Sequence, residues 1–218
     1  MKLVIQLVLW IVIIFLGYKL YSSVIGPVEF NKVKEARYVE VIAKLKDIRA
    51  SQLAHQEVTG NFSGNFDSLV RFLDTAQFAI TQRRDTSYAD VEKNKAFGVD
   101  GYYIEDIIVD TLGFVSIKDS LFGDSDRYKT MMNVPGVEGK TFDLQAGKYE
   151  KNGTKYSVFL AEVDKAVVLE GQDEDLVAQE RQVNSVDGVN GPTLKVGAMD
   201  EINTSGNWPK IYDSVKDN

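Results

Sequence analysis

The chain has no cysteine and only one histidine, His55, among its 218 residues. Without a thiol it can form no disulfide, no thiolate metal site and no cysteine nucleophile. A single histidine excludes histidine-rich zinc sites, and a Ser-His-Asp triad would have to use His55 itself. We therefore expect a solvent-facing His55 on a helix and none of these enzyme chemistries.

Positive charge is outweighed by negative charge. The chain carries 25 Lys and Arg against 32 Asp and Glu, a formal net charge of −7. An acidic chain is repelled by the phosphates of DNA and RNA. Nucleic acid is therefore not an expected partner.

One glycine-rich stretch is similar to the end of a phosphate-binding loop without matching it. The stretch from Gly136 to Thr141 closes with Gly-Lys-Thr, but Val134 stands where the motif requires its first glycine. A strand-like run follows, whereas the motif needs a helix. We interpret the stretch as a glycine turn before a strand.

Two acidic clusters, Asp124-Ser-Asp126 and Asp173-Glu-Asp175, could attract a hard cation such as calcium. An EF-hand loop begun at the first cluster would have Lys129 at its obligatory glycine and Pro135 at its glutamate, so that motif is excluded. We interpret this cluster as loop charge and Asp173 as the start of a helix, with loose calcium binding as the alternative. No catalytic residue, cofactor-binding residue or metal ligand is predicted, and no cofactor is expected.

What the sequence does contain is a long apolar run. Of the residues from Leu3 to Leu16, twelve are Leu, Ile, Val or Phe, worth about 4 to 7 kcal/mol toward insertion into a bilayer as a helix. Counted to Ile25, the run has 23 residues, and a helix needs roughly 20 to cross the hydrocarbon. We predict a transmembrane anchor over residues 1–27, with the lipid bilayer as a partner.

Two alternatives compete with this anchor. A secretory signal peptide has a basic start and a small-residue cleavage site, but only Lys2 precedes the run and Ser22-Ser-Val24 is a poor cleavage site. A buried helix of a soluble domain is apolar on one face rather than all round. We therefore predict that the span is retained in the membrane.

The charges near the run give opposing cues on orientation. Lys19, Lys32, Lys34 and Arg37 follow it, and by the positive-inside rule they favour a cytoplasmic C-terminal side. A single N-terminal anchor in bacteria, however, usually keeps its N-terminus inside. We expect a single pass through the bacterial inner (cytoplasmic) membrane, with the C-terminal domain in the periplasm.

An amphipathic pattern follows Gly26-Pro27. Apolar residues recur mostly every three or four positions with charges between them, which predicts a stalk helix over residues 28–58. They are Phe30, Val33, Val41, Ile42, Leu45, Ile48 and Leu53. The stretch Thr59-Gly-Asn61 is expected to end this helix, and Pro27 to kink its junction with the anchor.

Residues 59–218 are predicted to form one domain of mostly antiparallel strands and small helices. The expected elements are a short helix capped by Asn65 or Ser63, a strand at 78–82, a hairpin at 107–117 turning near Gly113, a hairpin at 141–163 turning at Asn152-Gly153, a helix at 174–182 and a strand at 193–196. The fold class is therefore α+β, with an N-terminal transmembrane helix running into a long amphipathic helix.

Three aspartates and three aromatic residues have local structural interpretations. Asp85, Asp110 and Asp119, each followed by Thr or Ser, are interpreted as turn residues at strand ends. Trp208 and Tyr102-Tyr103 are interpreted as residues that close the edge of a small core, with exposed binding aromatics as the alternative.

The arrangement resembles type IV pilins and pseudopilins. It shares with them an N-terminal apolar helix, a nearby proline at Pro27, an amphipathic extension ending at Val58-Thr-Gly-Asn-Phe62 and a C-terminal antiparallel sheet. The glutamate five residues into the pilin helix and the C-terminal cysteine pair have no counterpart. The stretches from Ser185 to Gly191 and from Asn203 to Pro209 are similar to single-pass envelope proteins of Bacteroidetes-type bacteria.

These features lead to one main expectation and two alternatives. The main one is a non-enzymatic single-pass membrane protein that holds an α+β domain at the cell envelope, for self-association or for binding a protein partner. One alternative is a membrane-tethered ligand-binding or hydrolytic domain with a site among loops 84–105 and 120–140, whose small-molecule ligand the sequence leaves open. The other is a pilin-like filament subunit.

Overall fold

The computed structural model describes residues 2–213 and has the predicted α+β fold. The elements are α1 (Lys2–Thr59), α2 (Phe66–Thr75), β1 (Gln77–Ala89), α3 (Val91–Phe97), β2 (Tyr103–Ser116), α4 (Ile117–Phe122), β3 (Asp143–Lys151), β4 (Thr154–Asp164), α5 (Lys165–Val168), α6 (Glu174–Glu180) and β5 (Thr193–Gly197), with short 3-10 helices at Arg127–Thr130 and Lys210–Asp213. The strands form two antiparallel sheets, one of two strands and one of three.

The chain divides into two compact units. The first contains the residues up to Leu69 and those from Asp126 onward, and the second comprises Val70–Ser125. The first therefore holds α1 and the three-stranded sheet, and the second holds the two-stranded sheet. The predicted boundaries at residues 27 and 58 stay predictions.

The first helix, α1, is 58 residues long and contains both the apolar run and the predicted stalk. Pro27 lies inside it without ending it, and a kink there stays a prediction. The helix ends where expected, because Gly60 adopts a positive φ of 75° and its N–H donates to the Gln56 carbonyl at 2.8 Å. Glycine enters this left-handed conformation at little steric cost, which makes it the common residue after a helix.

The three-stranded sheet has the order β3-β4-β5, and its first two strands form the hairpin predicted at Asn152-Gly153. Both turn residues have positive φ, 54° and 76°, as a two-residue hairpin turn of this kind requires. The register aligns Lys151 with Thr154 and Asp143 with Glu162. The predicted strand at 193–196 is β5, which pairs with the C-terminal half of β4.

The main core of the first unit lies between α1 and this sheet. Buried side chains of α1 are Phe30, Tyr38, Val41, Ile42, Leu45 and Ile48, and those of the sheet are Val158, Phe159, Ala161, Val163, Leu194 and Val196. We call the α1 set the docking face. The contacts of α1 include β4, β5 and α5, so its apolar stripe packs on the chain's own sheet.

The helix predicted from Asn65 is α2, and Asn65 is its cap. The Asn65 side chain accepts hydrogen bonds from the N–H groups of Asp67 at 2.7 Å and Ser68 at 3.3 Å. These two donors have no partner inside the helix, so an Asn cap satisfies them. Leu69 and Leu73 are buried on the predicted apolar face.

The two-stranded sheet corrects the hairpin predicted at 107–117. Residues 103–116 form one strand, β2, which pairs with β1 along its whole length from Ala89↔Tyr103 to Gln77↔Ser116. Gly113 is not in a turn but opposite Ile80, where Leu112 is an extra residue in the register. A glycine inside a strand often marks such a bulge.

The Asp-Thr pairs in these strands were also misinterpreted. Asp85 and Asp110 lie inside β1 and β2 rather than at strand ends, and Arg84 donates to the Asp110 carboxylate at 2.5 Å. Their short polar side chains can bond local backbone in a turn. In this structure both residues lie instead in extended, paired strands, Asp85 opposite Ile107 and Asp110 opposite Gln82. Asp119 lies in the first turn of α4.

Candidate functional site

The N-terminal part of α1 exposes its apolar side chains on all sides. Every side chain described from Leu3 to Tyr21 is exposed. They include Leu3, Ile5, Trp10, Ile14, Phe15, Tyr18, Leu20 and Tyr21. Among residues 2–213, α1 is the one helix long and apolar enough to cross a membrane, a test that a signal sequence also passes. We call residues 3–25 the apolar segment.

The same helix changes character near Pro27. Phe30 is buried, and from Tyr38 to Ile48 the docking face is inaccessible to solvent. One continuous helix therefore carries two surfaces, an apolar segment that no other part of the described chain covers and a docking face that the sheet covers. The junction between these two surfaces is therefore the candidate functional site.

A buried polar cluster lies beside this junction and is centred on Glu180, at the end of α6. Lys34 of α1 donates to one carboxylate oxygen at 3.0 Å. Tyr38 of α1 and Lys165 of α5 both donate to the other, at 3.2 and 3.1 Å. Lys165 also donates to the backbone carbonyls of Glu180 and Val189, each at 2.7 Å. We call Lys34, Tyr38, Lys165 and Glu180 the Glu180 cluster.

Burial dominates the electrostatics of this cluster. Lys165 is completely buried, and desolvation lowers its pKa, with the Glu180 charge opposing the shift. Burial raises the pKa of Tyr38 far above its ordinary range, and the Glu180 charge and its hydrogen bond add to the effect. Both shifts have a desolvation cause, because a charged group in an apolar interior loses its water.

Two further polar contacts tie α1 to its own unit. Arg37 donates through Nη1 to the carbonyls of Val168 and Glu170, both at 2.9 Å. Gln52 donates to the Ser63 carbonyl at 2.6 Å and accepts from the Ser63 N–H at 2.9 Å, and both residues are buried. Buried amides are stable only when hydrogen-bonded in this way. Together these contacts fix the rotation of α1 over the sheet.

His55 lies near the C-terminal end of α1. Its Nδ1 is 2.6 Å from the Asn61 carbonyl and 3.0 Å from the Thr59 hydroxyl. The ring is half-buried rather than fully solvent-facing. Its place at the turn that follows the helix gives it a local structural role.

The two other motifs considered as sites have ordinary structures. Gly136 and Gly139 adopt positive φ in a turn, and β3 follows soon after Thr141, so the stretch is the predicted turn before a strand. Asp173 caps α6 by accepting from the N–H groups of Asp175 and Leu176 at 3.1 Å, as predicted for a helix start. Across residues 2–213, no group of three His, Cys, Asp or Glu side chains has the arrangement of a metal site.

The candidate aromatics have different surroundings. Trp208 is half-buried, and its indole N–H donates to Asp213 at 3.2 Å. Its ring lies against Gly206, where a Cβ atom would overlap it. Tyr102 and Tyr103 are exposed, and Tyr102 stacks on Phe97 with a centroid distance of 5.4 Å.

The loop region predicted at 84–105 is largely regular structure. Residues up to Ala89 belong to β1, residues 91–97 to α3, and β2 begins at Tyr103. The cap of α3 is built from Asp90, whose side chain accepts from Lys93 N–H at 3.0 Å. Asp85, Glu105 and Asp106 line an open depression on these two strands, so the tethered ligand-binding domain stays an untested alternative.

Sequence reasoning missed the Glu180 cluster. Lys165 follows a strand and precedes the apolar stretch Ala166-Val-Val-Leu169, and a lysine flanked by apolar residues signals either a buried partner or a chain end. Its partner Glu180 is 15 residues further along the chain, and Lys34 and Tyr38 are more than 120 residues away from Lys165. Only the packing of α1 brings the four side chains together.

Searches against known protein families, curated proteins and solved structures give no match to this chain. The architecture itself is loosely pilin-like, since a long N-terminal apolar helix is followed by antiparallel sheets. Function must therefore be argued from the geometry of the chain.

Proposed function

We propose that the protein is a single-pass membrane protein without enzymatic activity, which holds its α+β domain at the bacterial inner membrane as a component of an assembly. The observation that carries this proposal is the change of surface along α1. A segment of 23 mostly apolar residues (3–25), exposed from Leu3 to Tyr21, continues without a helix break into a docking face buried by the chain's own sheet.

An exposed apolar helix of this length is costly in water. Each of its twelve Leu, Ile, Val and Phe side chains up to Leu16 contributes roughly 0.3 to 0.6 kcal/mol when it moves to the centre of a bilayer. Hydrocarbon is the solvent in which this surface is stable, and a helix satisfies its own backbone there. The length of the segment, beyond the roughly 7 to 15 apolar residues of a signal peptide, supports a retained anchor over a cleaved signal sequence.

The continuity of α1 supports an anchor that is mechanically coupled to the domain. A flexible linker would let the domain move freely, whereas a helix transmits orientation along its axis. The Glu180 cluster and the Arg37 contacts fix the helix to α5 and α6 just beyond the apolar segment. A rigid attachment holds the domain in one orientation relative to the membrane, as binding to other subunits requires.

The most perturbed ionisable groups also favour a structural role. Burial lowers the pKa of Lys165 and raises that of Tyr38, and shifted pKa values mark an active site in some proteins. Here both groups are buried and both contact Glu180. They join helices to one another instead of facing a cleft that a substrate could enter.

The experiment is a membrane extraction of the full-length protein with alkaline carbonate, followed by protease treatment of intact spheroplasts. We expect the protein to stay in the pellet and its domain to be cleaved from outside, at the periplasmic face. Release by carbonate, or mature protein lacking the apolar segment, would contradict the anchor. Protection of the domain would reverse the proposed orientation.

A pilin-like filament subunit is the second candidate, and the loosely pilin-like architecture favours it. Shearing of cells and electron microscopy of the released fraction would test it. Fibres that disappear when the gene is deleted would support a filament role. An anchored complex with no fibres would leave the membrane assembly as the function.

A further inference from the structure

The second unit contains a sheet of two long strands whose surfaces are left open. β1 has 13 residues and β2 has 14, and none of them is buried. A two-stranded sheet is marginally stable by itself in water, and stable sheets use a third strand or a covering layer. We call β1 and β2 together the ribbon.

Apolar side chains are exposed on both faces of the ribbon. Residues that are opposite each other in the register share a face. One face carries Ile107, Val109 and Phe114, and the other carries Ile80, Tyr88, Ile104 and Ile108. A sheet with one solvent face would alternate apolar and polar residues. Apolar residues on both faces indicate a ribbon that becomes part of a larger layer.

Both edges of the ribbon are also unpaired. β1 and β2 hydrogen-bond only to each other among the strands of residues 2–213. Each therefore presents an outer row of backbone N–H and C=O groups, which is a ready template for another strand. Proline, which native proteins use to block such edges, occurs in neither strand.

The charges on the two edges are complementary. β1 contributes Arg83, Arg84 and Asp85, whereas β2 contributes three acids, Glu105, Asp106 and Asp110, and no base. Two β2 edges side by side would gather acids against acids, which is unfavourable. Two β1 edges would gather the arginines of both copies and leave both β2 edges uncovered.

Pairing β1 of one copy with β2 of another uses this complementarity. Arg84 lies opposite Ile108, and Asp106 and Asp110 flank Ile108 on the same face. Within the chain, Arg84 bonds Asp110. If the ribbons of successive copies lie side by side in the same register, Arg84 of the next copy lies beside Ile108 of β2. It can pair there with Asp106, because Asp110 already pairs with Arg84 of its own chain.

We infer that the ribbon is a self-association element, in which β1 of one copy adds to the outer edge of β2 of a second copy. The occupant of the open edge is therefore another copy of this chain. Because the two edges differ, the contact is head-to-tail and repeats from copy to copy, producing a ring if it closes and a filament if it does not. This inference deepens the proposed assembly function and rests on it.

The absence of cysteine makes cross-linking the direct test. Thr81 and Thr111 are opposite each other in the register, exposed, uncharged and close in size to cysteine. Two differently tagged full-length chains would be co-expressed, one with Thr81→Cys and the other with Thr111→Cys, and their membranes treated with a mild oxidant. A disulfide forms only where the two Cα atoms are within about 7 Å, whereas equivalent residues of neighbouring copies would be about 10 Å apart, two strand spacings. We expect a cross-link between the two tags when both variants are present, and none from either variant alone.

A charge-reversal pair gives a second readout. Asp106→Lys should weaken self-association of the detergent-solubilised protein by about three- to tenfold, because an attractive cross-strand pair becomes repulsive. Asp100→Lys makes the same change of charge in the exposed loop between α3 and β2, and it should leave association within twofold, about 0.4 kcal/mol. Sedimentation of the full-length protein measures both.

These outcomes test self-association through the ribbon independently of the membrane anchor. A cross-link from one variant alone would replace the head-to-tail contact with a two-fold one and overturn the inference. No cross-link, together with equal association of Asp106→Lys and Asp100→Lys, would also overturn it while leaving carbonate-resistant anchoring intact. Cross-linking of protein that carbonate releases would support the ribbon and contradict the anchor.

Discussion

The two hairpins of this chain share a topology and differ in almost everything that stabilises them. β3 and β4 are joined by the two residues Asn152-Gly153, gain a third strand from β5 and bury part of β4 under α1. β1 and β2 are longer, are joined through α3, gain no third strand in the described chain and bury no side chain. Both hairpins are antiparallel, but only the β3–β4 hairpin has buried side chains.

This difference indicates where each hairpin obtains its stability. Burying a Val, Leu or Phe side chain contributes about 1.5 to 3 kcal/mol, and β4 alone buries Val158, Phe159 and Val163. The ribbon has no such contribution within one copy, so its order depends on cross-strand pairs and on whatever covers it. Matched substitutions in the two regions can therefore separate stability from association.

The largest expected effect comes from placing a charge in the core beneath the β3–β4 hairpin. Leu45→Asp puts a carboxylate at a fully buried position of the docking face, and we expect a loss of about 4 kcal/mol or more, enough to unfold the first unit. Leu112→Asp makes the same change at an exposed ribbon position and should cost less than about 1 kcal/mol. Thermal unfolding in detergent measures both, and similar melting temperatures would contradict the assignment of the core.

The next largest loss of stability is expected from breaking the buried pair of Lys165 with Glu180, compared with the exposed pair of Arg84 with Asp110. Glu180→Gln leaves the fully buried Lys165 ammonium without a carboxylate, and we expect a cost of about 3 kcal/mol. Lys165→Met should cost less, because Lys34 and Tyr38 still hold Glu180. In the ribbon, Arg84→Met breaks an exposed pair with Asp110 and should cost below about 1 kcal/mol. Denaturant titrations that rank Arg84→Met above Glu180→Gln would reverse this comparison.

A smaller effect is expected from adding a hydroxyl to each sheet. Val196→Thr introduces a polar group at a fully buried position of β5, at a cost of about 1 to 3 kcal/mol. Val109→Thr makes the same substitution on the ribbon, where the side chain is 54% exposed, and should change stability by less than about 0.5 kcal/mol. Both residues have high β propensity, so equal losses of unfolding free energy would mean that burial is not the difference.

Alkaline pH should change the stability of the first unit through its buried tyrosine and lysine. Burial raises the pKa of Tyr38 above its ordinary value of 10.0, so above that pH the unfolded chain releases a proton that the folded chain keeps. Stability from this residue is complete below pH 10 and is lost by about 1.4 kcal/mol per further pH unit. The lowered pKa of Lys165 acts in the opposite sense, adding stability as pH rises toward 10.5.

Tyr38→Phe isolates the tyrosine contribution. The variant loses a hydrogen bond to Glu180 and is less stable at pH 7, but its unfolding free energy should fall less steeply above pH 10 than that of the natural chain. Parallel curves for the two proteins would show that Tyr38 titrates normally.

Local signals in the sequence were sufficient for several elements. The Asn152-Gly153 turn, the Asn65 cap and the Asp173 start of α6 each depend on residues a few positions apart, and each is where it was expected. Gly113 was assigned wrongly because glycine serves both turns and bulges, and the choice depends on a partner strand about 30 residues away. The Glu180 cluster could not be predicted, since its members are distant in sequence.

The sequence by itself determined the apolar segment, the α+β class and the stripe of the docking face, because hydropathy and periodicity are properties of neighbouring residues. Only the tertiary structure decided which hairpin is buried and which is open, and that Lys34, Tyr38 and Lys165 share one carboxylate. The physical reason is that burial is a property of pairs of surfaces. A strand carries the same side chains whether or not another layer comes to cover them.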